Sequence, residues 1–336
     1  MFACIGCIAF LYAQQRPHYT QYIQNPYIIN PALTGIENYT DIKLSMRDQW
    51  IGFPGAPRTI YATVHGPIGK KDFKTTPTSF AVPGENPRGK SYWESYTASE
   101  PHHGIGAQFF SYKTGYISRI SGMISYAYHL GLTPTMNLSA GFSAGLNTFT
   151  LDGSKIELAN PSDPAIGGVS AQLNRIKPEL NAGLWLYSDR IFAGLSAQQI
   201  IPQKLSLTDN RLRGSSLIPH LFFTTGYRFL MTEDINVLPS VMVRYISGLP
   251  VFADLNAKFL YQDRFWLGGN YRIREGVAAM AGVNISSLFN VTYSYDTYFN
   301  RQLNYLLPYM QRGTHELVLG FMFGNKYGDL CPKNVW

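Results

Sequence analysis

Val251-Phe252-Ala253-Asp254-Leu255-Asn256-Ala257-Lys258-Phe259-Leu260-Tyr261-Gln262 divides into two alternating sets. Val251, Ala253, Leu255, Ala257, Phe259 and Tyr261 fall on one parity, Asp254, Asn256, Lys258 and Gln262 on the other. Successive side chains of a strand point to opposite faces, so one face of this strand is greasy and the other wet. The same split separates Leu138, Ala140, Phe142, Ala144 and Leu146 from Ser139, Gly141, Ser143, Gly145 and Asn147. It recurs in Val291, Tyr293 and Tyr295 against Thr292, Ser294 and Asp296, and no window reads as a long amphipathic helix.

Alternation alone also suits a soluble β-sandwich. Three features favour a strand that crosses a bilayer. Many of the alternating segments reach roughly ten residues, where soluble strands average about five or six. Aromatic residues gather near segment ends, as at Tyr126 and Tyr128, Tyr227 and Phe229, and Tyr293 and Tyr295, where interfacial girdles lie in membrane barrels. The chain of 336 residues is 45% apolar and only 15% charged, against about 25% charged in an ordinary soluble domain. The expected fold is therefore all-β: a 14-stranded antiparallel transmembrane β-barrel of the outer membrane, with an N-terminal plug-like or capping segment.

Strands are expected near 40–47, 58–67, 104–112, 117–130, 135–149, 179–187, 190–199, 219–230, 235–246, 250–262, 264–273, 276–285, 288–297 and 313–323. An even count brings both ends of the barrel to the periplasmic side, and short periplasmic turns should alternate with long outer loops. The connections Gly131–Pro134, Ser188–Asp189, Met231–Asp234, Asp263 and Ser286–Ser287 are short. Their outer counterparts include the long stretches Thr150–Pro178, Ile200–Ile218 and Tyr298–Arg312. One connection breaks the rule, since 68–103 falls on the periplasmic side yet is far longer than the roughly 2 to 5 residues of a hairpin loop. Its Pro, Thr, Ser and Lys content suits a solvated insertion. The alternative is a docking arm for a periplasmic partner, with Tyr92, Trp93 and Tyr96 as anchors.

The chain divides as 1–13, a secretory leader directing Sec-type export; 14–38, a segment with two Asn-Pro pairs; 39–323, the barrel; and 324–336, a tail. The leader lacks the usual basic opening, which suits an initiator further upstream. Cys7 could instead accept a lipid, but Cys4-Ile5-Gly6 before it makes a poor lipobox. Removal of the leader leaves Cys331 as the one thiol, so neither an intramolecular disulfide nor a cysteine metal site is expected. The net charge of +7 forms no basic stripe interleaved with aromatics, which argues against nucleic acid as a partner.

Ahead of the first strand stand Gln21-Tyr22-Ile23-Gln24-Asn25-Pro26-Tyr27-Ile28-Ile29-Asn30-Pro31-Ala32-Leu33-Thr34-Gly35, then Arg47-Asp48-Gln49-Trp50-Ile51-Gly52-Phe53 and Gly55-Ala56-Pro57. Proline fixes its own φ and restrains the residue before it, so Asn25-Pro26 and Asn30-Pro31 mark two bends closed by Gly35. Such a stretch suits a cap or plug at the periplasmic mouth better than a ladder strand, with Trp50 and Phe53 in the first outer loop.

These two blocks resemble the PorP/SprF family, outer-membrane proteins of the type IX secretion and gliding machinery of Bacteroidetes. Gly226-Tyr227-Arg228-Phe229, Asp254-Leu255-Asn256-Ala257, Trp266-Leu267-Gly268 and Tyr293-Ser294-Tyr295-Asp296 extend the likeness along the mature chain. The resemblance implies a non-enzymatic component that helps export or anchor surface proteins carrying a C-terminal sorting signal. It also implies partners among periplasmic or outer-membrane lipoprotein components of that machinery, besides the outer-membrane lipids. The family pattern places Asn25, Pro26, Asn30, Pro31, Gly35, Arg47, Gln49, Trp50, Gly52, Phe53 and Pro57 in its motif.

Other chemistries find less support. His102 and His103 adjoin Pro and Gly with no third ligand at metal-site spacing. His129 falls on the wet side of its strand, and His315 beside serines only faintly resembles a lipase site. No catalytic, cofactor or metal residue is expected. Arg228, Arg244, Asp254, Arg272, Asp296 and Glu316 should line the lumen, where polar filling is the ordinary expectation and a solute channel the alternative. An outer-membrane transporter for small or hydrophobic solutes is accordingly the second functional reading.

Overall fold

The computed structural model describes residues 20–72, 76–79, 96–152, 172–201, 203–205, 215–232, 234–273, 275–298 and 313–325. Three short 3-10 turns, Thr20–Ile23, Pro26–Ile28 and Pro31–Leu33, come first. The strands that follow are β1 (Thr40–Gln49), β2 (Arg58–Ile68), β3 (His102–Thr114), β4 (Ile117–Thr133), β5 (Met136–Asp152), β6 (Gln172–Tyr187) and β7 (Ile191–Gln198). Next are β8 (Gln203–Leu205), β9 (Ser215–Leu217), β10 (His220–Tyr227), β11 (Phe229–Leu230), β12 (Ile235–Ile246) and β13 (Phe252–Tyr261). The chain ends its sheet with β14 (Phe265–Arg272), β15 (Gly276–Asn284), β16 (Phe289–Tyr298) and β17 (Thr314–Phe323).

Each long strand pairs antiparallel with its sequence neighbour, and β10 pairs with both β7 and β12. The first strand meets the last: Thr40 lies opposite Phe323 and Gln49 opposite Thr314. These pairings close the described long strands into a barrel of fourteen. β11 continues β10 past Arg228, whose backbone N–H leaves the ladder and donates to Arg190 O at 2.7 Å. β8 and β9 form a separate two-stranded ribbon in the outer connection after β7.

Burial follows the alternation read from the sequence, turned inside out relative to a soluble protein. Along β13, Asp254, Asn256 and Lys258 are buried while Leu255, Phe259 and Tyr261 are exposed. Ile124 is 72% exposed and Leu267 66%, each flanked by neighbours that point inward. A wall that presents Leu, Ile and Phe outward and amides and charges inward is stable only in hydrocarbon. Tyr128, Tyr227, Phe229, Tyr261 and Phe265 ring the short-turn end, and Tyr245, Tyr271 and Tyr295 lie toward the other. No helix among the described residues is long and apolar enough to cross a membrane.

The observed strands match the expected segments closely, with one extension. β6 begins at Gln172 rather than 179 and runs through Pro178, pairing with β5 all the way from Asp152–Gln172 to Asn137–Tyr187. β7 pairs with β6 only over Ala182–Tyr187. Pro178 lies beyond the described β6–β7 pairs, on the stretch of β6 that pairs with β5 opposite Leu146.

Candidate functional site

Residues 21–37 run inside the barrel rather than joining its sheet. Gln21, Asn25, Tyr27, Ala32, Leu33 and Thr34 are all buried, although the turns that carry them are too short to form a core. The two Asn-Pro pairs produce this path. Asn30 caps the third turn through its Oδ1, which accepts from Ala32 N at 2.9 Å, and Pro31 supplies the first helical position. The Asn30 amide nitrogen then donates outward, to Leu184 O at 3.0 Å on β6 and Leu195 O at 3.2 Å on β7. Asn25 donates to Thr63 Oγ1 on β2 at 3.0 Å.

The segment's own backbone is held by side chains of the wall. Gln108 of β3 donates to Tyr27 O, Gln198 of β7 to Ile28 O and Ile29 O, Ser196 to Ile29 O, and Ser139 of β5 to Ala32 O. His129 Nε2 lies 2.8 Å from Thr34 O, and Gly35 N donates to His65 Nδ1 at 3.2 Å. The turns satisfy only some of the segment's carbonyls internally, so these bonds to the wall are what permits burial of the rest. Glycines give it room. A Cβ on Gly104 would collide with Thr34 O, one on Gly183 with Asn30 Oδ1, and one on Gly141 would meet Pro31 O at 2.5 Å. Gly35 itself has φ +71°, and a side chain there would meet the backbone of Gly104 and Gly66.

Apolar contacts complete the seat. Tyr27, Ala32, Leu33 and Ile36 cluster with Trp185, Tyr187, Phe192 and Leu238. Ile23 packs against Leu260, Trp266 and Met280 on the far wall. Burial pushes the phenols of Tyr22 and Tyr27 up from their ordinary value, so both stay neutral and act as hydroxyls. Tyr27 Oη is 2.5 Å from Ser125 Oγ, and Tyr22 Oη accepts from Asn256 at 2.7 Å.

Beyond the segment, toward the outer end, the charged lumen residues form one network. Arg47 of β1 reaches Asp296 of β16 at 2.7 Å and Glu316 of β17 at 2.9 Å, with no exposed side-chain surface on any of the three. Arg272 lies 3.7 Å from the same Asp296 and 3.9 Å from Asp254, and Arg244 reaches Glu275 at 3.2 Å. Arg228 stands apart near the short-turn end, 3.2 Å from Asp263. At that end Lys43 also contacts Asp41, with His65 3.8 Å from the same carboxylate.

Arg47-Asp48-Gln49-Trp50 ends β1 and opens the first outer hairpin. Trp50 has φ +53° and its N–H donates to Gly313 O at 3.0 Å, Gln49 N donates to Pro57 O, and Gly52 and Gly55 turn the chain at positive φ. Phe53 is half-buried within this turn. The described ends of the connection between β2 and β3 meet the segment and rim at the other mouth. Lys70 Nζ donates to Ile36 O at 3.0 Å, Thr76 Oγ1 to Glu37 at 3.0 Å, and Ala98 N to Pro134 O at 2.7 Å. Tyr96 is buried there, its hydroxyl accepting from Asn137 at 3.2 Å; Tyr92 and Trp93 lie outside the described residues.

The histidines take separate roles. His102 and His129 face inward and stack at 4.5 Å, while His103 faces outward with Nδ1 2.7 Å from Tyr126 Oη. His315 is also outward, 2.5 Å from Tyr293 Oη. No group of three or more His, Cys, Asp or Glu among the described residues could hold a metal ion. The glycine seat and the carbonyl-binding Gln108, Ser139, Ser196 and Gln198 escaped sequence reading, because each is an unremarkable inward residue until the segment's path is known.

The toluene transporter TbuX of Ralstonia pickettii is similar in structure, at TM-score 0.49 and 9% identity over 89% of this chain and 93% of that one. The toluene transporter TodX of Pseudomonas putida gives 0.46 and 9% over 92% and 94%, and Omp33 of Acinetobacter baumannii 0.45 and 8% over 86% and 99%. Likenesses this distant bear on neither substrate nor partner. No curated protein matches the chain. Residues 11–321, by contrast, match the family described as type IX secretion system membrane protein PorP/SprF. That span takes in both Asn-Pro pairs, the Arg47–Pro57 block and nearly all of the closed, apolar-walled barrel. The chain is an outer-membrane β-barrel and belongs to the PorP/SprF family of type IX secretion system membrane proteins.

Proposed function

We propose that this protein is a non-enzymatic scaffold that assists the export or surface anchoring of proteins bearing a C-terminal sorting signal. In this reading the short-turn end docks periplasmic or lipoprotein components of the secretion machinery and the outer loops receive the exported protein. Residues 21–37 serve as a plug that keeps the lumen closed to bulk flow.

One observation carries the reading: the β2–β3 connection is built onto the plug and rim. Its Lys70 and Thr76 bond to Ile36 and Glu37, and its Ala98 and Tyr96 bond to Pro134 and Asn137. The described ends of this connection bond to the plug and rim, and Tyr92 and Trp93 between them are the proposed interface anchors. A chain lacking residues 80–95 keeps the anchoring contacts. Purified in mild detergent, it should lose a periplasmic component that the full chain retains, and its host should lose a surface protein. Retention of every co-purifying component by the shortened chain overturns the docking role.

A further inference from the structure

The backbone of the N-terminal segment is bonded to one side of the lumen. Every described backbone bond from residues 27–35 to the wall ends on β2 through β7, by way of His65, Gln108, His129, Ser139, Ser196 and Gln198. Gly104 and Gly141, which admit its backbone, and Gly106 and Gly183, which admit the side chains of Tyr27 and Asn30, lie on β3, β5 and β6 of that same side.

The opposite side is held differently. The arm Thr20–Ile23 packs on β16 and β17, yet no described backbone bond joins it to them. Its polar contacts with β12 through β17 include the Tyr22–Asn256 bond, a hydrogen bond between Tyr22 and Asp254 and, one residue on, a 3.3 Å contact between Lys258 and Gln24. Gln21 is fully buried with neither amide atom paired. Behind the arm, Ser294 Oγ and Thr314 Oγ1 are likewise buried and unpaired. Buried polar groups without partners are costly, and exposure to water would relieve them. Asn25 separates the two regimes, since it is pinned to Thr63 on the fastened side.

We propose that residues 20–24 act as a gate arm hinged at Asn25, whose release opens a polar path along β13 to β17 for small hydrophilic solutes. Lifting the arm uncovers Asn256, Asn270, Arg272, Ser294, Asp296 and Glu316, a strip of amides, a hydroxyl and both charge signs. Such a lining passes small polar molecules with weak charge preference and repels apolar ones. The apolar latch that keeps the arm shut is Ile23 against Leu260, Trp266 and Met280, together with Tyr22 and Ile23 against Tyr61, Phe110 and Met123. This gate is independent of the docking role, for it uses the lumen rather than the rim.

The test introduces a single cysteine on each wall of a chain carrying Cys331→Ser, reconstituted in liposomes and probed with a charged, membrane-impermeant thiosulfonate. Ser294→Cys on the gate side should react at least tenfold faster than Ser139→Cys on the fastened side, and Tyr22→Ala should accelerate Ser294→Cys labelling several-fold further. In planar bilayers, Tyr22→Ala should raise potassium chloride conductance over the parent chain. Heat-modifiable gel mobility confirms that each variant is a folded barrel. Equal labelling of the two cysteines in the Tyr22-containing chain, or faster labelling of Ser139→Cys, overturns the proposal without reference to the bilayer result.

Discussion

Arg47 and Glu316 stand directly opposite one another in the ladder that joins the first barrel strand to the last, Nη1 to Oε2 at 2.9 Å. The seam is therefore closed by a charge pair as well as by backbone bonds. Asp296 on the next strand takes the second Nη of Arg47, so one guanidinium ties β1 to both β16 and β17. A guanidinium presents donors in a fork, which suits it to hold two carboxylates at once.

Removing one partner of such a network leaves buried charge uncompensated, at a cost of about 3–5 kcal/mol. Arg47→Met should accordingly lower the urea midpoint of the folded barrel and its gel-shift temperature well beyond Arg58→Met. The latter breaks only the exposed Arg58–Asp48 pair, an interaction worth about 0–1 kcal/mol. Equal destabilisation by the two changes contradicts the seam assignment.

The glycine seat predicts a defect confined to the N-terminal segment. Gly104→Ala places a methyl against the Thr34 carbonyl, a rigid neighbour, so the segment must leave its seat or the wall must shift. Overpacking of this kind costs about 1–3 kcal/mol. Limited proteolysis should cut residues 20–37 in folded Gly104→Ala, whereas Gly269→Ala, whose new methyl meets nothing within 4 Å, should stay protected. Equal protection of the two variants shows that the seat is looser than described.

Asn30 makes the segment's most concentrated set of contacts, capping Ala32 and donating to Leu184 O and Leu195 O. Asn30→Asp keeps the cap but removes the donor and sets a negative charge between two carbonyls. It should therefore destabilise the folded barrel more than Asn30→Ala, by about 1–3 kcal/mol. Urea titrations followed by tryptophan fluorescence check the order, and a neutral Asn30→Asp contradicts it.

The outer wall reverses the usual meaning of exposure. Ile124 and Leu267 have much of their surface uncovered, yet Ile124→Arg or Leu267→Arg should cost about 2–4 kcal/mol if these sites lie near the bilayer midplane. Refolding yield into lipid vesicles measures this. Tolerance of both arginines at wild-type yield places the wall in water.

Much of the barrel was legible in the sequence because a strand with lipid on one side and filled lumen on the other must alternate, and β13 shows this residue by residue. Pro178 misled in one place: proline reads as a strand boundary, yet β6 runs through it with Pro178 opposite Leu146 of β5. Asn25-Pro26 and Asn30-Pro31 declared two bends, but their partners could not be read, since Asn30 meets Leu184 and Leu195 more than 150 positions away. The charge network was half visible. Arg272, Asp296 and Glu316 were inward by parity, whereas the meeting of Asp296 and Glu316 with Arg47, and of Arg272 with the same Asp296, depends on barrel closure, which no local pattern encodes. Gly104, Gly141 and Gly183 carried no signal, because alternation already places small residues on inward positions.

β13 reports on both sides of the closed wall, with hydrocarbon outside and a packed polar interior. Spin labels placed singly at positions 253 to 260 of the reconstituted protein report collision with oxygen, which concentrates in lipid, and with a polar nickel chelate, which stays in water. The account predicts high oxygen and low nickel accessibility at Ala253, Leu255, Ala257 and Phe259, and low values of both at Asp254, Asn256, Lys258 and Leu260. Nickel collisions at the odd positions, or loss of the two-residue period, would contradict it.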